Sequence, residues 1–442
     1  MEFKQYPNYK DSGVEWLSDI PESWGIKRFS YVFNENKNKN TGLKETNVLS
    51  LSYGNIIEKN IDDNKGLLPE SFETYQIIEP NYIIFRFTDL QNDKRSLRSA
   101  ISKYHGIITS AYIGVKTKEN ADFYNYLFRA YDLQKVFYSM GDGMRQSLKM
   151  DELNKMPIVV PPLIEQQEIV SFLDAETTRI DNLIAKQEKL IELLEEQRKS
   201  IISHAVTKGL NPDAPMKDSG VEWLGEVPEH WDVMQLKSAI TNWRNGKWGN
   251  DVNHNQKGNL ICVRVADFDR KKGIISKDKL TLRNYENESI ASCLLFDNHI
   301  LIERSGGGDK QLVGATVRYT LENGQAVCSN FISLLHIDKN IFNVKYMQYS
   351  FEHLYYLGVN RLSIKQTSGI QNLDLKQYIQ NNFAFPECRE QGKIVDFLDI
   401  ETDKIDNLIT KQNELIQKLK EYRSSIISHA VTGKIDVREI AV

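Results

Sequence analysis

The sequence predicts an α/β protein in which two globular domains are carried by two long helices of an internal repeat. The octapeptide Lys-Asp-Ser-Gly-Val-Glu-Trp-Leu occurs at residues 10–17 and again, unchanged, at residues 217–224. A second repeated block occupies residues 169–207 and 394–432, and both copies end in Ser-Ile-Ile-Ser-His-Ala-Val-Thr. The segments between these blocks share little sequence. A duplicated frame therefore surrounds two different inserts.

Length and composition indicate an ordinary globular protein with more than one domain. A chain of 442 residues is too long to fold around a single compact core, and it is 40% hydrophobic and 26% charged. No apolar stretch is long enough to cross a bilayer, and the start does not resemble a signal peptide. Four cysteines form no Cys-x-x-Cys pair, so we expect reduced thiols in the cytoplasm. The net charge of −4 does not exclude nucleic-acid binding, which needs only a local basic surface.

Seven-residue periodicity predicts two long coiled-coil helices in the second repeated block. Neither copy contains Gly or Pro, and each helix would be about 60 Å long. An apolar stripe needs a partner, so we expect the two helices to pack antiparallel within the chain; a parallel homodimer is the alternative. The positions that step by seven are Leu173, Ile180, Gln187, Leu194 and Ile201 in the first helix, and Leu398, Ile405, Gln412, Leu419 and Ile426 in the second.

Polar residues at equivalent places of the two helices allow two interpretations. Gln187 and Gln412 either fix the helix register as a buried polar pair or lie at the edge of the stripe. His204 and His429 stand at the helix ends without carboxylate or cysteine companions, which favours a structural role over a ligand site.

These patterns divide the chain into segments related by a pseudo-twofold repeat. The best-marked boundary is the proline- and glycine-containing linker at residues 208–215. The predicted segments are an entrance segment (1–24), a first insert domain (25–160), a central spacer helix (161–209), a linker with the repeated entrance (210–231), a second insert domain (232–386), a C-terminal spacer helix (387–434) and a tail (435–442).

Both inserts are predicted to be α/β domains, with strands first and a helix late. In the first insert, strands are expected at residues 48–51, 82–87 and 107–115, and a helix at 122–140. In the second, strands are expected at residues 259–265, 299–304, 314–319 and 331–336, and a helix near 344–357. The inserts therefore look like diverged versions of one domain.

Basic and polar loops beside these strands suggest contact with DNA. Arg and Gln match the edges of guanine and adenine in the major groove, whereas Lys, Ser and exposed amides suit phosphates. A single loop of this kind is more often solvated surface, but several on one frame favour DNA binding. The candidate residues are Arg86, Lys94, Arg95, Arg98, Arg145, Gln146 and Ser147 in the first insert, and Arg244, Lys247, Arg304, Lys310, Lys365 and Gln366 in the second.

The sequence carries no catalytic or metal-binding signature. Gly306 to Gly308 lack the Gly-Lys-Ser/Thr ending of a phosphate-binding loop, and the Asn-Pro-Asp-Ala run at residues 211–214 lacks the second proline and the aromatic residue of amino-methyltransferase motifs. We therefore predict no catalytic residues and no metal site, and a protein that binds without catalysing.

Several motifs together resemble the specificity subunit (HsdS) of type I restriction–modification systems, over essentially the whole chain. They are the duplicated entrance, the closing Ser-Ile-Ile-Ser-His-Ala-Val-Thr pair, and Pro-Ile-Val-Val-Pro-Pro-Leu-Ile-Glu-Gln-Gln at residues 157–167. Its counterpart at residues 383–391 has Glu387 in place of a proline, so it departs from the family pattern at the start of the second helix. The runs at residues 87–94 and 145–148 also resemble a common family variant.

The resemblance implies that each insert is a target recognition domain that reads one half of a split DNA sequence. The repeated helices would pack antiparallel as a spacer between the domains. Two modification subunits, which methylate adenine with S-adenosylmethionine, and two restriction subunits, which use ATP and Mg, would dock on this chain. The chain itself would be non-catalytic and bind no cofactor. The partners implied are thus double-stranded DNA and these subunits, without a membrane.

Two other functions remain as alternatives from the sequence alone. The first is a coiled-coil adaptor whose α/β inserts bind proteins. The second is a fused methyltransferase, which would need a cofactor loop that the sequence does not contain.

Overall fold

A computed structural model describes residues 3–60, 69–88, 90, 97–140, 147–252, 258–276, 278, 280–286, 289–306, 311–321, 325–367 and 369–440. The chain forms two compact units: Met1–Glu188 with Gln412–Val442, and Lys189–Lys411. Each unit contains one insert and one entrance segment, together with part of each long helix. Within the described ranges, no helix combines the length and apolar character needed to cross a membrane.

The first unit is built from short strands around a central sheet, with helices after the sheet. Its elements are β1 (Tyr9–Asp11), β2 (Asp19–Pro21), β3 (Gly25–Arg28), α1 (Phe29–Val32), β4 (Phe33–Glu35), β5 (Leu49–Ser52), β6 (Asn55–Glu58), β7 (Gln76–Ile78), β8 (Ile83–Phe85), β9 (Ser99–Ile101), β10 (Gly106–Ile108), β11 (Ile113–Thr117), α2 (Ala121–Leu133), α3 (Val136–Met140), α4 (Met150–Leu153), β12 (Pro157–Val160) and the start of α5 (Leu163–Lys208).

The second unit follows the same plan with more strands. Its elements are β13 (Met216–Asp218), β14 (Glu226–Pro228), β15 (Asp232–Gln235), β16 (Ile240–Asn245), β17 (Asn259–Val263), β18 (Phe268–Asp269), β19 (Ile274–Ile275), β20 (Thr281–Asn284), β21 (Ile300–Glu303), β22 (Ser305–Gly306), β23 (Thr316–Arg318), β24 (Ala326–Cys328), β25 (Ile332–Ile337), α6 (Val344–Leu357), β26 (Ile364–Thr367), β27 (Ile370–Leu373), α7 (Leu375–Tyr378), β28 (Asn382–Phe385) and the start of α8 (Cys388–Val431), whose end lies in the first unit. Short 3₁₀ helices cover Leu236–Ala239, Val265–Asp267, Ala291–Cys293 and Val359–Ser363.

The main sheets of the two units have the same strand order. In the first unit the order is β4-β11-β8-β9, and in the second β16-β25-β21-β23 continues into β19-β18. The pair β3–β12 leads into α5 as β15–β28 leads into α8, and the hairpins β1–β2 and β13–β14 also correspond. The two inserts are thus variants of one α/β fold.

Each long helix is attached to its own domain by a glutamine at its start. Gln166 accepts from the backbone N–H of Asn120, the N-cap of α2, at 3.1 Å and donates to the Pro161 carbonyl at 2.9 Å. In the second unit Gln391 accepts from the backbone N–H of Asn343, the N-cap of α6, at 2.8 Å. These bonds fix the direction in which each long helix leaves its domain.

The glutamate that replaces a proline does not alter the start of the second helix. The Glu387 carbonyl accepts from the Gln391 N–H at 3.0 Å, just as the Pro162 carbonyl accepts from the Gln166 N–H at 3.0 Å. A proline is suited to this place because its missing N–H would have no helical partner, but the helix does not require one.

The seven-residue stripe predicted from the sequence is turned away from solvent in both helices. Six of its ten positions are buried, namely Leu173, Ile180, Leu194, Leu398, Ile405 and Ile426, and the other four, Gln187, Ile201, Gln412 and Leu419, are half-buried. His204 and His429 are exposed. Neighbouring apolar side chains at Leu190, Leu408 and Leu415 are at least 40% exposed.

Two predicted elements of the first insert are each divided in the structure. The expected strand at residues 107–115 is two strands, β10 and β11, joined by a turn in which the Tyr112 N–H donates to the Thr109 carbonyl at 3.2 Å. The expected helix at residues 122–140 breaks after α2, because Lys135 adopts a left-handed backbone with φ 63°. Apolar residues stand on both sides of each break, so their spacing alone predicted one continuous element in each case.

Candidate nucleic-acid interface

In the second unit, strand directions bring three predicted DNA contacts to one end of the main sheet. β25 runs antiparallel to both β16 and β21, so the carboxyl ends of β16 and β21 lie together. Arg244 is the next-to-last residue of β16, Lys247 follows that strand, and Arg304 follows β21. The backbone N–H of Arg304 donates to the Phe331 carbonyl at 2.7 Å, beside the start of β25.

A small three-stranded sheet adds Lys365 and Gln366 to the same region. In the order β22-β27-β26, Asn372 of β27 pairs with Ser305 on one side and with Lys365 on the other. Lys365 and Gln366 are exposed. The Lys365 ammonium donates to the Asp374 carboxylate at 2.7 Å, and this bond lowers the pKa of Asp374. Ser305, which follows β21 closely, and Lys365 therefore flank the same residue of β27, although they are 60 positions apart in the chain.

Aromatic and basic side chains that the sequence did not single out extend this surface. The guanidinium carbon of Arg283 lies 4.8 Å from the ring centroid of Trp248, which is 40% exposed. Phe331 is 45% exposed. Stacked arginine and tryptophan faces suit contacts with unpaired or edge-on bases. Arg283 was missed because it reaches Trp248 through pairing of distant segments and not through a local motif.

A buried ion pair supports the end of β21 from beneath. Glu303 is 1% exposed and accepts from Arg270 at 2.8 Å. Burial raises the pKa of Glu303, while Arg270 acts in the opposite direction. Removing either partner would leave a charge without compensation at the end of β21, next to Arg304 in the chain.

The first unit places Arg86 at the corresponding end of its sheet. Arg86 directly follows β8, and its backbone N–H donates to the Arg98 carbonyl at 2.8 Å. The Leu148 N–H donates to the Phe87 carbonyl at 3.3 Å, so the exposed Ser147 lies next to the Arg86 segment. The structure thereby joins the two predicted loops of the first insert.

Arg98 does not reach the surface, which corrects its prediction as a DNA contact. It is 0% exposed, its backbone N–H donates to the Asp132 carboxylate at 2.7 Å, and its guanidinium donates to the Thr88 carbonyl at 3.2 Å. The guanidinium also lies 5.7 Å from the Tyr138 ring centroid. Arg98 therefore connects the segment before β9 with α2 and α3. Its position within a basic run gave no sign of this burial.

Five further predicted contacts, Lys94, Arg95, Arg145, Gln146 and Lys310, lie outside the described residues. Of the part of the chain that is described, no group of three or more His, Cys, Asp or Glu side chains is arranged to hold a metal ion. Three of the thiols, Cys262, Cys293 and Cys328, are buried, and Cys388 is exposed.

Comparison with known proteins identifies the relatives of this chain. The sequence model described as "Type I restriction modification DNA specificity domain" matches residues 100–195. The putative type I restriction enzyme MjaX specificity subunit of Methanocaldococcus jannaschii is 23% identical, over 99% of this chain and 99% of its own length. The MjaVIII specificity subunit of the same organism is 22% identical, over 100% of this chain and 99% of its own. The chain is similar over its whole length to specificity subunits of type I restriction enzymes. The resemblance found in the sequence is thereby confirmed.

Two solved structures share the fold of this chain. A chain from a structure concerned with complex assembly and conformational transition of the type I R-M system has a TM-score of 0.69 at 16% identity, covering 93% of this chain and 98% of that one. The HsdS subunit from Thermoanaerobacter tengcongensis has a TM-score of 0.54 at 16% identity, covering 94% of this chain and 98% of that one.

A third sequence relative matches only part of the chain. The StySPI specificity subunit of Salmonella potsdam is 24% identical over 65% of this chain and 60% of its own length.

Proposed function

We propose that this chain is the DNA-specificity subunit of a type I restriction–modification complex, and that each unit reads one half of a split, non-palindromic target. The observation that carries the proposal is the contrast between the two kinds of surface. The attachment of helix to domain is repeated, as in Gln166 and Gln391, whereas the loops at the sheet ends differ in sequence beyond the arginine, Arg86 or Arg304, that follows the corresponding strand. A repeated frame suits identical partners, and different loops suit different half-sites.

The long helices set the unread gap between the half-sites. Two ion pairs support an antiparallel arrangement: Arg423 contacts Asp181 at 2.9 Å in the first unit, and Arg198 contacts Asp406 at 3.4 Å in the second. Arg198 lies 17 residues after Asp181 in the first helix, and its partner Asp406 lies 17 residues before Arg423 in the second. The residue numbers therefore rise along one helix as they fall along the other. Two readers related by a pseudo-twofold axis would meet grooves about one helical turn of DNA apart, roughly 34–36 Å.

Base reading belongs to the side chains at the sheet ends. In the second unit, Arg244, Arg304 and Gln366 are the base-reading candidates, and Lys247 and Lys365 suit phosphates. In the first unit, Arg86, Arg145 and Gln146 take the corresponding roles. Lys94, Arg95, Ser147 and Lys310 complete the proposed contacts with the DNA.

The chemistry belongs to partner subunits. Two modification subunits would methylate adenine with S-adenosylmethionine, and two restriction subunits would cleave DNA with ATP and Mg, in the cytoplasm. This chain contributes no catalytic group and no cofactor site. Exposed apolar side chains at Leu190, Leu408 and Leu415 provide surface for a partner on the long helices.

Methylome sequencing tests the proposal directly. Cells that carry this chain with its modification subunit should acquire adenine methylation at one bipartite sequence whose halves differ. Exchange of residues 232–386 for the corresponding insert of another specificity subunit should replace one half-site only. Methylation of a palindrome, or loss of both half-sites in the exchange, would contradict the proposal. The adaptor alternative predicts no salt-dependent retention of the purified chain on duplex DNA.

A further inference from the structure

The two units differ at one position where each domain faces its long helices. In the second unit, Arg198 of α5 is buried and its guanidinium donates to Glu352 of α6 at 2.5 Å. Tyr356 also donates to Glu352, at 2.6 Å. The charge of this arginine is thus neutralised from within its own domain.

The equivalent position of the first unit carries the opposite charge. The tyrosine hydroxyls of Tyr126 and Tyr349 donate to Asp174 and Asp399 at 2.7 Å and 2.8 Å, which places α2 and α6 in the same register on their helices. Three residues further along each helix, Glu352 of the second unit corresponds to Arg129 of the first. Arg423, which corresponds to Arg198 in the repeat, therefore has an arginine and not a glutamate on the facing domain.

The hairpin β5–β6 holds Arg129 in place. Its guanidinium donates to the Gly54 carbonyl at 2.8 Å, and a side chain at position 54 would collide with it. Gly54 itself has φ 75°, a conformation that glycine adopts without strain. Burial lowers the pKa of Arg129, and the charge of Arg423 lowers it further, against an opposing effect of Asp132. Two like charges are thus held close in the first unit.

A cavity of about 760 Å³ lies beside these two arginines, entirely within the first unit. Its charged lining residues are Lys103, Arg129, Arg423, Asp122 and Asp174. Three cations therefore face two carboxylates, and Arg423 also contacts Asp181, which does not line the cavity, at 2.9 Å. Asp174 accepts from Tyr126, and burial, with the charge of Asp174, raises the pKa of Asp122, so the carboxylates offset the cations only in part.

Neutral groups around the cavity also suit a nucleotide. The amide oxygen of Asn125 is buried without a hydrogen-bond partner among the described residues, so this amide has unused capacity toward a ligand. Tyr53 and Tyr104 line the cavity and are 90% and 39% exposed, which leaves ring faces for a base or sugar. The volume is within the range of small-molecule sites.

We propose that this cavity binds a phosphate group of a nucleotide, between the guanidinium groups of Arg129 and Arg423. Arg423 already contacts Asp181 and Arg129 already donates to the Gly54 carbonyl, and a phosphate offers enough acceptor oxygens for the remaining N–H groups of both guanidiniums at once. The phosphate comes either from a free nucleotide or from the DNA backbone. The site is separate from the sheet-end surfaces proposed to read DNA, so its failure would leave that proposal intact.

The experiment compares two charge reversals in the purified full-length chain. Arg129→Glu reproduces the second unit's arginine–glutamate pair and fills the site with its own carboxylate, so the fold should be retained. Arg28→Glu makes the same charge change at an exposed position that does not line the cavity. Arg129→Gln, which removes the charge without replacing it, serves if Arg129→Glu does not fold.

Thermal unfolding and titration provide the measurement. Sodium phosphate and AMP, each against sodium chloride at matched ionic strength, should raise the unfolding midpoint of the wild-type chain and Arg28→Glu, but not of Arg129→Glu, whose affinity should be at least about tenfold weaker. Saturable AMP binding identifies a free nucleotide. If AMP binding does not saturate, duplex DNA is tested instead. A fall of about one in the slope of log binding constant against log salt concentration, in Arg129→Gln relative to wild type, identifies a backbone phosphate. Equal responses of Arg129→Glu and wild type in every arm, or equal loss in Arg28→Glu, would overturn the proposal.

Discussion

The indole N–H of Trp24 donates to the carboxylate of Glu165 at 2.9 Å, and both residues are buried. This bond joins the entrance segment to the first turn of α5, across 141 positions of the chain. The second unit repeats it between Trp231 and Glu390 at 3.2 Å. The duplicated tryptophans are therefore structural: each fastens the start of a unit to the start of its long helix.

Replacement of Trp24 by Phe should destabilise the first unit by about 1–3 kcal/mol, because a buried carboxylate loses a hydrogen-bond donor. Tyr6, which donates to Glu165 at 2.5 Å, keeps the carboxylate partly satisfied. Urea unfolding followed by circular dichroism measures the change. The matched control is Tyr31→Phe, at a 78% exposed position, which should change stability little. Equal effects of both substitutions would refute this role.

The ion pair of Arg198 with Glu352 of α6 should contribute more to stability than the ion pair of Arg423 with Asp181. Glu352→Gln leaves Arg198 buried with only Asp406 as a charged partner and should cost about 3 kcal/mol. Asp181→Asn, in a pair whose side chains are 36% and 55% exposed, should cost about 1 kcal/mol or less. Chemical denaturation of the two variants measures both values. A larger loss for Asp181→Asn would show that burial does not control these pairs.

His353 should make the protein less stable in mild acid. Burial lowers its pKa to about 4, and it is 3% exposed. Below about pH 6.5 the unfolded chain binds a proton that the folded chain takes up only near pH 4, so stability falls as the pH decreases through this range. The loss from this group is about 2 kcal/mol at pH 5.

Unfolding free energies at neutral pH and at pH 5 test the contribution of His353. His353→Leu should lose about 2 kcal/mol less than wild type over this range. His204→Gln, at an exposed position, should follow the wild type. Parallel pH profiles for His353→Leu and wild type would exclude His353 as the cause.

An insertion of four residues in the exposed stretch of α5 after Lys186 should lengthen the gap between half-sites. Four residues add about one helical turn, or about 6 Å, which corresponds to roughly two base pairs. Both half-sites should persist, because neither sheet end changes. Methylome sequencing reads the gap directly, and an unchanged gap would rule out a spacer role for the helix.

Adjacent residues on β26 should have separable effects on DNA. Gln366→Ala should lower the discrimination between bases at one half-site by about 1–3 kcal/mol. Lys365→Ala should weaken binding to all sequences and reduce the salt dependence of the binding constant by about one phosphate contact. Binding to targets with single-base changes, at several salt concentrations, distinguishes the two. Equal behaviour of both variants would place both residues on phosphates.

The long helices and the frame could be predicted from sequence because repetition and heptad spacing are local signals. The bounds of α6 agree with the predicted residues 344–357, since Asn343 caps its start and Gly358 ends it with a left-handed backbone. The candidate interface was harder to predict. Arg98 lies in a basic run, but its guanidinium is buried against the Thr88 carbonyl and the Tyr138 ring, and Arg283 meets Trp248 only through sheet pairing. These positions depend on contacts between distant segments, which residue spacing does not encode.

The first unit is formed by two segments that are far apart in the chain, and this affects how it folds during synthesis. Its last segment, Gln412–Val442, leaves the ribosome after all of Lys189–Lys411 has been synthesised. In the finished unit the Asp436 N–H donates to the Lys4 carbonyl at 2.8 Å, so segments on either side of the whole second unit meet. The domain that is begun first is completed last. During synthesis it must wait, with part of its helix surface uncovered, until Gln412–Val442 has been made.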